Sequence, residues 1–310
     1  MLGTRKLIVS FNLSFYYRNL FKRSMVTMSS SRLVAICQMT SVSDKEKNFQ
    51  IVRDLTREAK QKNASIAFFP EACDYLADNK QDIVGMAENL EGNIVKKYKQ
   101  LASEEKIWLS LGGIHEAIDK YPDKVYNAHV LINDKGEIVS VYRKIHLFDM
   151  DNKQTGVRLM ESDYAMKGSN IERPTLSPVG EIGLGICYDM RFPELALCLR
   201  KMGAKILTYP SAFTFETGAN HWEVMLRARA IETQCYVIAA AQTGRHNKKR
   251  VSWGHSMIVD PWGTVIAQCS QGIGLQIASI DFDFINRVRA DMPLEDHRRT
   301  DIYPKMESYC

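Results

Sequence analysis

The 310-residue chain is expected to fold as one α/β domain in which sheets stack on one another with helices outside them. Three observations lead there. Short apolar runs of strand length alternate with longer amphipathic runs, two β-rich hairpins interrupt the alternation, and no repeat, composition break or linker falls within residues 33–285. A doubly wound single sheet would show the same elements, so the spacing alone leaves both architectures open.

Leu33–Cys37 reads as a buried strand, and Asn48–Lys62 as a helix with Ile51, Val52, Leu55 and Ala59 on its apolar face. Ile66–Phe69 is a second strand, halted by Pro70. A helix over Ile94–Glu105 leads into the strand Trp108–Leu111. Val125–Ile132 and Glu137–Tyr142 flank the turn Asn133-Asp134-Lys135-Gly136, hence a hairpin. Residues 149–178 are polar and read as irregular. The alternation then resumes with strand Ile182–Ile186, helix Pro193–Met202 ending at Gly203, strand Ile206–Tyr209, helix His221–Gln234 and strand Tyr236–Ala241. Met257–Val259 and Thr264–Ile266 make a second hairpin around Asp260–Gly263, and Ile277–Ile280 is the last strand. Strands apolar along their whole length need cover on both faces, which is why helices are expected outside the sheets.

With 45% apolar and 25% charged residues, a mean hydropathy of −0.25 and no run of 18 apolar residues, the chain excludes a membrane-spanning reading. Residues 1–32 hold Arg5, Lys6, Arg18, Lys22, Arg23 and Arg32 and no acid. That is one more positive charge than the whole chain's net +5, so the body is near neutral at −1. A near-neutral body speaks against a nucleic-acid-binding surface. The acid-poor leader has the composition of a mitochondrial transit peptide, and Met25 and Met28 as internal starts would add a cytosolic form. Residues 286–310 form an extension expected to pack at an oligomer interface. Seven scattered cysteines without C-x-x-C or zinc-ligand spacing point to reduced thiols and no metal site.

Three residues carry candidate chemistry. Cys187 sits where an apolar strand meets a helix, a place that offers amide N–H groups to a thiolate and to an oxyanion. Glu71 follows Phe68-Phe69-Pro70 at another strand end, where a partly desolvated carboxylate gains a raised pKa and serves as general base. Lys144 follows the first hairpin, where a cation would favour a neighbouring thiolate. Singly, each also reads as something plainer: a small buried thiol, a surface acid or helix cap, a solvated strand-end lysine.

Together, Phe69-Pro70-Glu71, the run from Tyr142 to Asp149 and the run from Gly185 to Glu194 resemble the carbon–nitrogen hydrolase (nitrilase) superfamily in the right order. The resemblance spans about Leu33 to Tyr303. It implies a four-layer α-β-β-α sandwich, a Glu71–Lys144–Cys187 catalytic triad, a second glutamate at Glu161, no cofactor, and a homodimer or larger assembly. The segments Tyr209–Phe213, Arg227–Tyr236, Ala241–His246, Trp253–Ser256 and His297–Arg299 narrow it to an amidase branch that releases ammonia from a terminal carboxamide of an anionic small molecule. A neighbouring branch, acting on short keto-acid amides, is the alternative. Arg191 is the first candidate for a substrate carboxylate, with pairing to Asp189 or Glu194 as its competing reading. Tyr75, Tyr188, Ser211, Phe213 and Thr214 are further substrate-binding candidates by their nearness to strand ends. The flanks of Cys187 fit neither a papain-like hydrolase nor, at Gly183-x-Gly185, a phosphate-binding loop. A scaffold protein on a decayed hydrolase fold is the reading outside enzymology, and the intact Glu71, Lys144 and Cys187 speak against it.

Overall fold

The computed structural model describes residues 32–154 and 156–304. The leader expectation, with Met25 and Met28, lies outside the described residues. Two six-stranded sheets form the centre. The first runs in the order β16-β1-β2-β3-β4-β5, with β1 (Leu33–Gln38), β2 (Ile66–Phe69) and β3 (Trp108–Ala117) parallel to one another, β16 (Gly274–Ser279) antiparallel to β1, β4 (Val125–Ile132) antiparallel to β3, and β5 (Ile138–Arg143) antiparallel to β4. The second runs β15-β14-β11-β10-β9-β8. Its parallel centre is β9 (Gly180–Leu184), β10 (Ile206–Thr208) and β11 (Tyr236–Ala239), flanked by β8 (Thr175–Ser177), β14 (Met257–Val259) and β15 (Val265–Gln268).

Alternation along the strands explains the stacking. In β1, Val34 and Ile36 point to one face while Ala35 and Cys37 point to the other, as a period of two requires. Val34, Ile36, Ile66 and Phe68 meet Ile182, Leu184, Ile206 and Ile238 of the second sheet in a dry layer between the sheets. The opposite face of the first sheet is covered by α1 (Lys45–Gln61) and α3 (Asn93–Glu105), through Val52, Leu55, Ile94 and Tyr98. That of the second is covered by α4 (Pro193–Lys201) and α5 (Phe215–Thr233), through Leu195, Leu199, Trp222 and Leu226. The architecture is therefore the four-layer α-β-β-α sandwich, and the doubly wound single sheet is excluded.

Two expectations are corrected. Residues 149–178 are irregular only in part: β6 (Asp149–Asn152) pairs with β7 (Val157–Met160), a 3-10 turn follows at Glu161–Asp163, and after an irregular stretch over 164–174 the strand β8 closes the segment. The residues of β6 are all exposed, so burial left no apolar pattern to read there. Second, β3 continues past Leu111 to Ala117, through a register shift between Leu111 and Ile114 at Gly112 and Gly113. Cys37, Cys73, Cys187, Cys235 and Cys269 are free. The expected boundary at residue 285 falls inside α6 (Phe282–Asp291). The small helix α2 (Lys80–Gly85) and the hairpin of β12 (Thr243–Arg245) and β13 (Val251–Trp253) had not been foreseen.

Candidate active site

Strand ends of both sheets meet at one end of the sandwich. Glu71 leaves β2, Lys144 leaves β5, and Cys187 begins a 3-10 turn (Cys187–Arg191) three residues beyond Leu184 in β9. Gly112 lets the sheets approach: a Cβ there would lie 2.0 Å from Pro210 and 2.2 Å from the Phe69 carbonyl. Gly113, at φ +152°, makes the same room beside Asn127 and Glu71.

Lys144 Nζ donates to Glu71 Oε1 at 3.0 Å and to both Glu161 oxygens at 3.0 and 2.9 Å. It is 2% exposed, and both carboxylates are buried as well. Asn127, on β4, donates from Nδ2 to Glu71 Oε1 at 2.8 Å and to Glu161 Oε1 at 3.3 Å. Its carbonyl accepts from the Lys144 backbone N–H. Glu161 is fixed from its other side by the Phe148 N–H at 2.7 Å. The Cys187 thiol is half-buried beside Glu71 and Lys144, whose charges act on it. The Ala212 N–H donates to Glu71 Oε2 at 3.0 Å.

The electrostatics differ from the sequence-based expectation at two groups. Burial alone would raise Glu71, but Lys144, the Cys187 thiol and, further off, Arg250 outweigh it and bring its pKa below the usual carboxylate range. Burial and the Glu71 charge push the Cys187 thiol up, with Lys144 opposing only in part. The resting pair is therefore a neutral thiol beside a carboxylate, not a thiolate. Lys144 feels a downward pull from burial that Glu161, Glu71 and Cys187 overcome, so it stays charged. Cys187 has φ +46°, a left-handed conformation that is strained for a residue with a Cβ. The strain is held by its N–H bond to the Pro210 carbonyl at 2.9 Å. The Tyr188 N–H lies in the first turn of the 3-10 segment, where amides have no acceptor within the turn.

A cavity of about 710 Å³ opens above these groups. Tyr188, Arg191, Phe213 and Thr214 line it. Tyr75 and Ser211 do not: Tyr75 is fully buried, stacked on His115 and bonded to the Ile83 carbonyl, and buried Ser211 donates to the Tyr209 carbonyl. Both are scaffold, because nearness to a strand end in sequence does not fix which side of the strand a side chain leaves from. Arg191 makes no ion pair with Asp189 or Glu194 among the described residues; its guanidinium lies over the rings of Tyr188 and Phe213 and against His221. Asp189 instead accepts from Tyr142, Ile186 and His146. Sequence reasoning missed Asn127, a polar residue inside a mostly apolar strand run that also holds His129, and Arg250, in a basic run between two short strands.

Residues 33–290 match the family described as carbon-nitrogen hydrolase. The chain is 52% identical over 286 residues to a Homo sapiens protein named deaminated glutathione amidase, covering 91% of this chain and 87% of that protein. The crystal structure of the C. elegans NitFhit protein matches with a TM-score of 0.85 at 45% identity, covering 90% of this chain and 68% of that one. Saccharomyces cerevisiae Nit3, described as a member of branch 10 of the nitrilase superfamily, matches with a TM-score of 0.78 at 30% identity, covering 87% and 97%.

Proposed function

The chain belongs to the carbon–nitrogen hydrolase family, and from that premise we propose that it is a linear amidase whose substrate is deaminated glutathione, the molecule in the names of its relatives. The observation that carries the chemistry is the Cys187–Glu71–Lys144 contact at the floor of the cavity.

Glu71 takes the thiol proton as Cys187 Sγ attacks the amide carbon. The oxyanion that forms faces Lys144 Nζ and the Tyr188 N–H, and a single such donor typically contributes about 3–4 kcal/mol. Glu71 then hands the proton to the departing nitrogen, leaving an acyl thioester, and later activates the water that hydrolyses it. General acid–base help of this kind is worth roughly 10²- to 10⁴-fold. Lys144 stays protonated throughout, because two carboxylates share its charge.

The leaving group follows from the substrate. Both amide nitrogens of glutathione carry a substituent, so deaminated glutathione has no primary carboxamide from which ammonia could leave. Cleavage at its γ-amide releases cysteinylglycine and leaves a 2-oxoglutaryl group on Cys187. The ω-amidase reading, with α-ketoglutaramate as substrate, passes through the same thioester and differs only in releasing ammonia. Incubation of the protein with each amide, following cysteinylglycine in one case and ammonia in the other, separates the two. A preference for α-ketoglutaramate would move the protein to the ω-amidase branch. Glu71→Gln is expected to lower kcat on either amide at least about 10²-fold with the fold intact; near-full activity would remove Glu71 from the mechanism.

We also propose a homodimer or larger assembly and a mitochondrial as well as a cytosolic form. Exposed Val224 and Ile231 on α5, with Trp262 in the adjoining turn bonded through Arg227, support the former. The acid-free leader supports the latter. Light scattering and imaging of the full chain test them.

A further inference from the structure

The cavity is far roomier than a short keto-acid amide requires, and its cations are unequally committed. Lys144 is held by Glu71 and Glu161, and Arg158 by Asp163 at 2.7 Å. Arg250, Lys80 and Lys249 differ: they line the cavity and, among the described residues, make no ion pair, and of the three only Arg250 carries a planar fork. The Arg250 side chain is exposed.

Its backbone is nonetheless tightly placed. The loop joining β12 to β13 is anchored by His246, whose ring bonds the Ser41 carbonyl and the Ser252 hydroxyl, both at 2.8 Å. Burial pulls that imidazole down to about 4, so the anchor is neutral and unchanged at physiological pH. The Asn247 Oδ1 accepts from the N–H of Lys249 at 2.9 Å and of Arg250 at 2.8 Å, and the His246 N–H bonds the Arg250 carbonyl. A guanidinium on a pre-ordered loop receives a carboxylate with little further ordering cost, and its planar fork matches both oxygens.

Position decides which end of the substrate it serves. Arg191 lies in the nucleophile's own turn, over Tyr188 and Phe213, on the side where the acyl group stays attached to sulfur. Arg250 instead enters the cavity wall from the loop joining β12 to β13, in a lining that includes Glu71 and Tyr164. Glu71 is the group that must protonate the departing nitrogen, so the leaving half extends toward Glu71 and the loop beyond it.

We propose that Arg250 is a specificity-determining residue that binds the carboxylate at the far end of the leaving group, selecting amides whose amine half is an anionic peptide. This rests on the amidase reading above and deepens it. Arg191 then serves the carboxylate of the acyl half, and a substrate that leaves as ammonia has nothing to offer Arg250.

The test compares deaminated glutathione with its glycine methyl ester, in the wild-type enzyme and in Arg250→Gln. In wild type, esterification is expected to raise KM roughly tenfold, with kcat within about twofold. In Arg250→Gln the free acid should bind as weakly as the ester, so that the acid-over-ester preference collapses to about one. Because each enzyme is its own reference, a partly misfolded variant does not mimic this result. A preference retained in Arg250→Gln overturns the proposal while leaving the amidase reading intact. Failure of the wild type to cleave deaminated glutathione at all removes that reading and the proposal with it.

Discussion

The Tyr142 hydroxyl donates to Asp189 Oδ2 at 2.7 Å, across the boundary between the two sheets. Tyr142 stands two residues before Lys144, and Asp189 two residues after Cys187. The same carboxylate accepts from the Ile186 N–H at 2.8 Å and, through Oδ1, from the His146 N–H at 3.2 Å and ring at 2.7 Å. The cation and the nucleophile are thus set in register by a fully buried acid that touches neither.

Asp189→Asn is expected to disturb this register. One oxygen becomes an NH₂ that cannot accept, so at least one buried donor is orphaned at a cost of about 1–3 kcal/mol. A fall in Tm of roughly 3–9 °C should accompany a loss of kcat exceeding the rise in KM. Thermal unfolding and steady-state kinetics measure both, and an unchanged kcat would show that the turn holds without Asp189.

Glu161→Gln keeps the acceptor for the Phe148 N–H but withdraws one of the two charges that compensate Lys144. Removing one partner of a buried ion pair costs about 3–5 kcal/mol. Glu71 then carries more of the lysine's charge and becomes a weaker base. Stability and kcat should fall together, whereas Glu161→Asp should recover part of the stability. Denaturant melts of the two variants make the comparison.

Gly112→Ala places a methyl group against Pro210 and the Phe69 carbonyl, both backbone-bound and unable to rotate away. The sheets must part where Glu71 and the Cys187 turn meet. Overpacking of this kind typically costs about 1–3 kcal/mol. Because the strain lies at the catalytic end, activity should fall further than stability. Alkylation of Cys187 by iodoacetamide, counted by mass spectrometry, should speed up as the thiol loses its partner.

How much of this was legible in sequence depends on where burial wrote a pattern. Most apolar strands of both sheets, the two hairpins and the amphipathic face of α1 came out within a few residues, because each must bury a defined face; β3, which runs on to Ala117, and the short edge strand β8 did not. The exposed β6–β7 hairpin and α2, which buries no residue fully, left no such trace. At the site, Glu71, Lys144, Cys187 and Glu161 were found from motifs, and the structure brings them together. Tyr75 and Ser211 show the weakness of reasoning from sequence adjacency. Asn127 could have been found: an amide side chain in the apolar run from Val125 to Ile132 requires a partner, and here it has two carboxylates.

That amide leads to a prediction about pH. Glu71 must be ionised to receive the thiol proton, and its pKa lies below the usual carboxylate range, chiefly because Lys144 outweighs burial. The acid limb of kcat/KM is therefore expected below about pH 4.5, the usual glutamate value, and can be followed only as far as the fold survives. On the alkaline side, Cys187 and Lys144 are both raised, so the profile should stay flat through roughly pH 6–8.5. A resting thiolate–lysine pair would behave otherwise, with the thiol titrating near neutrality and alkylation rising with it. Asn127→Asp replaces a donor to Glu71 with a third carboxylate beside Glu71 and Glu161. Like charge disfavours the ionised form, so the Glu71 pKa must rise and the acid limb must move to higher pH, by about one unit or more. Asn127→Ala, which removes the donor without adding charge, should shift it in the same direction but less. An acid limb that stays in place in Asn127→Asp would mean that a group other than Glu71 accepts the proton from Cys187.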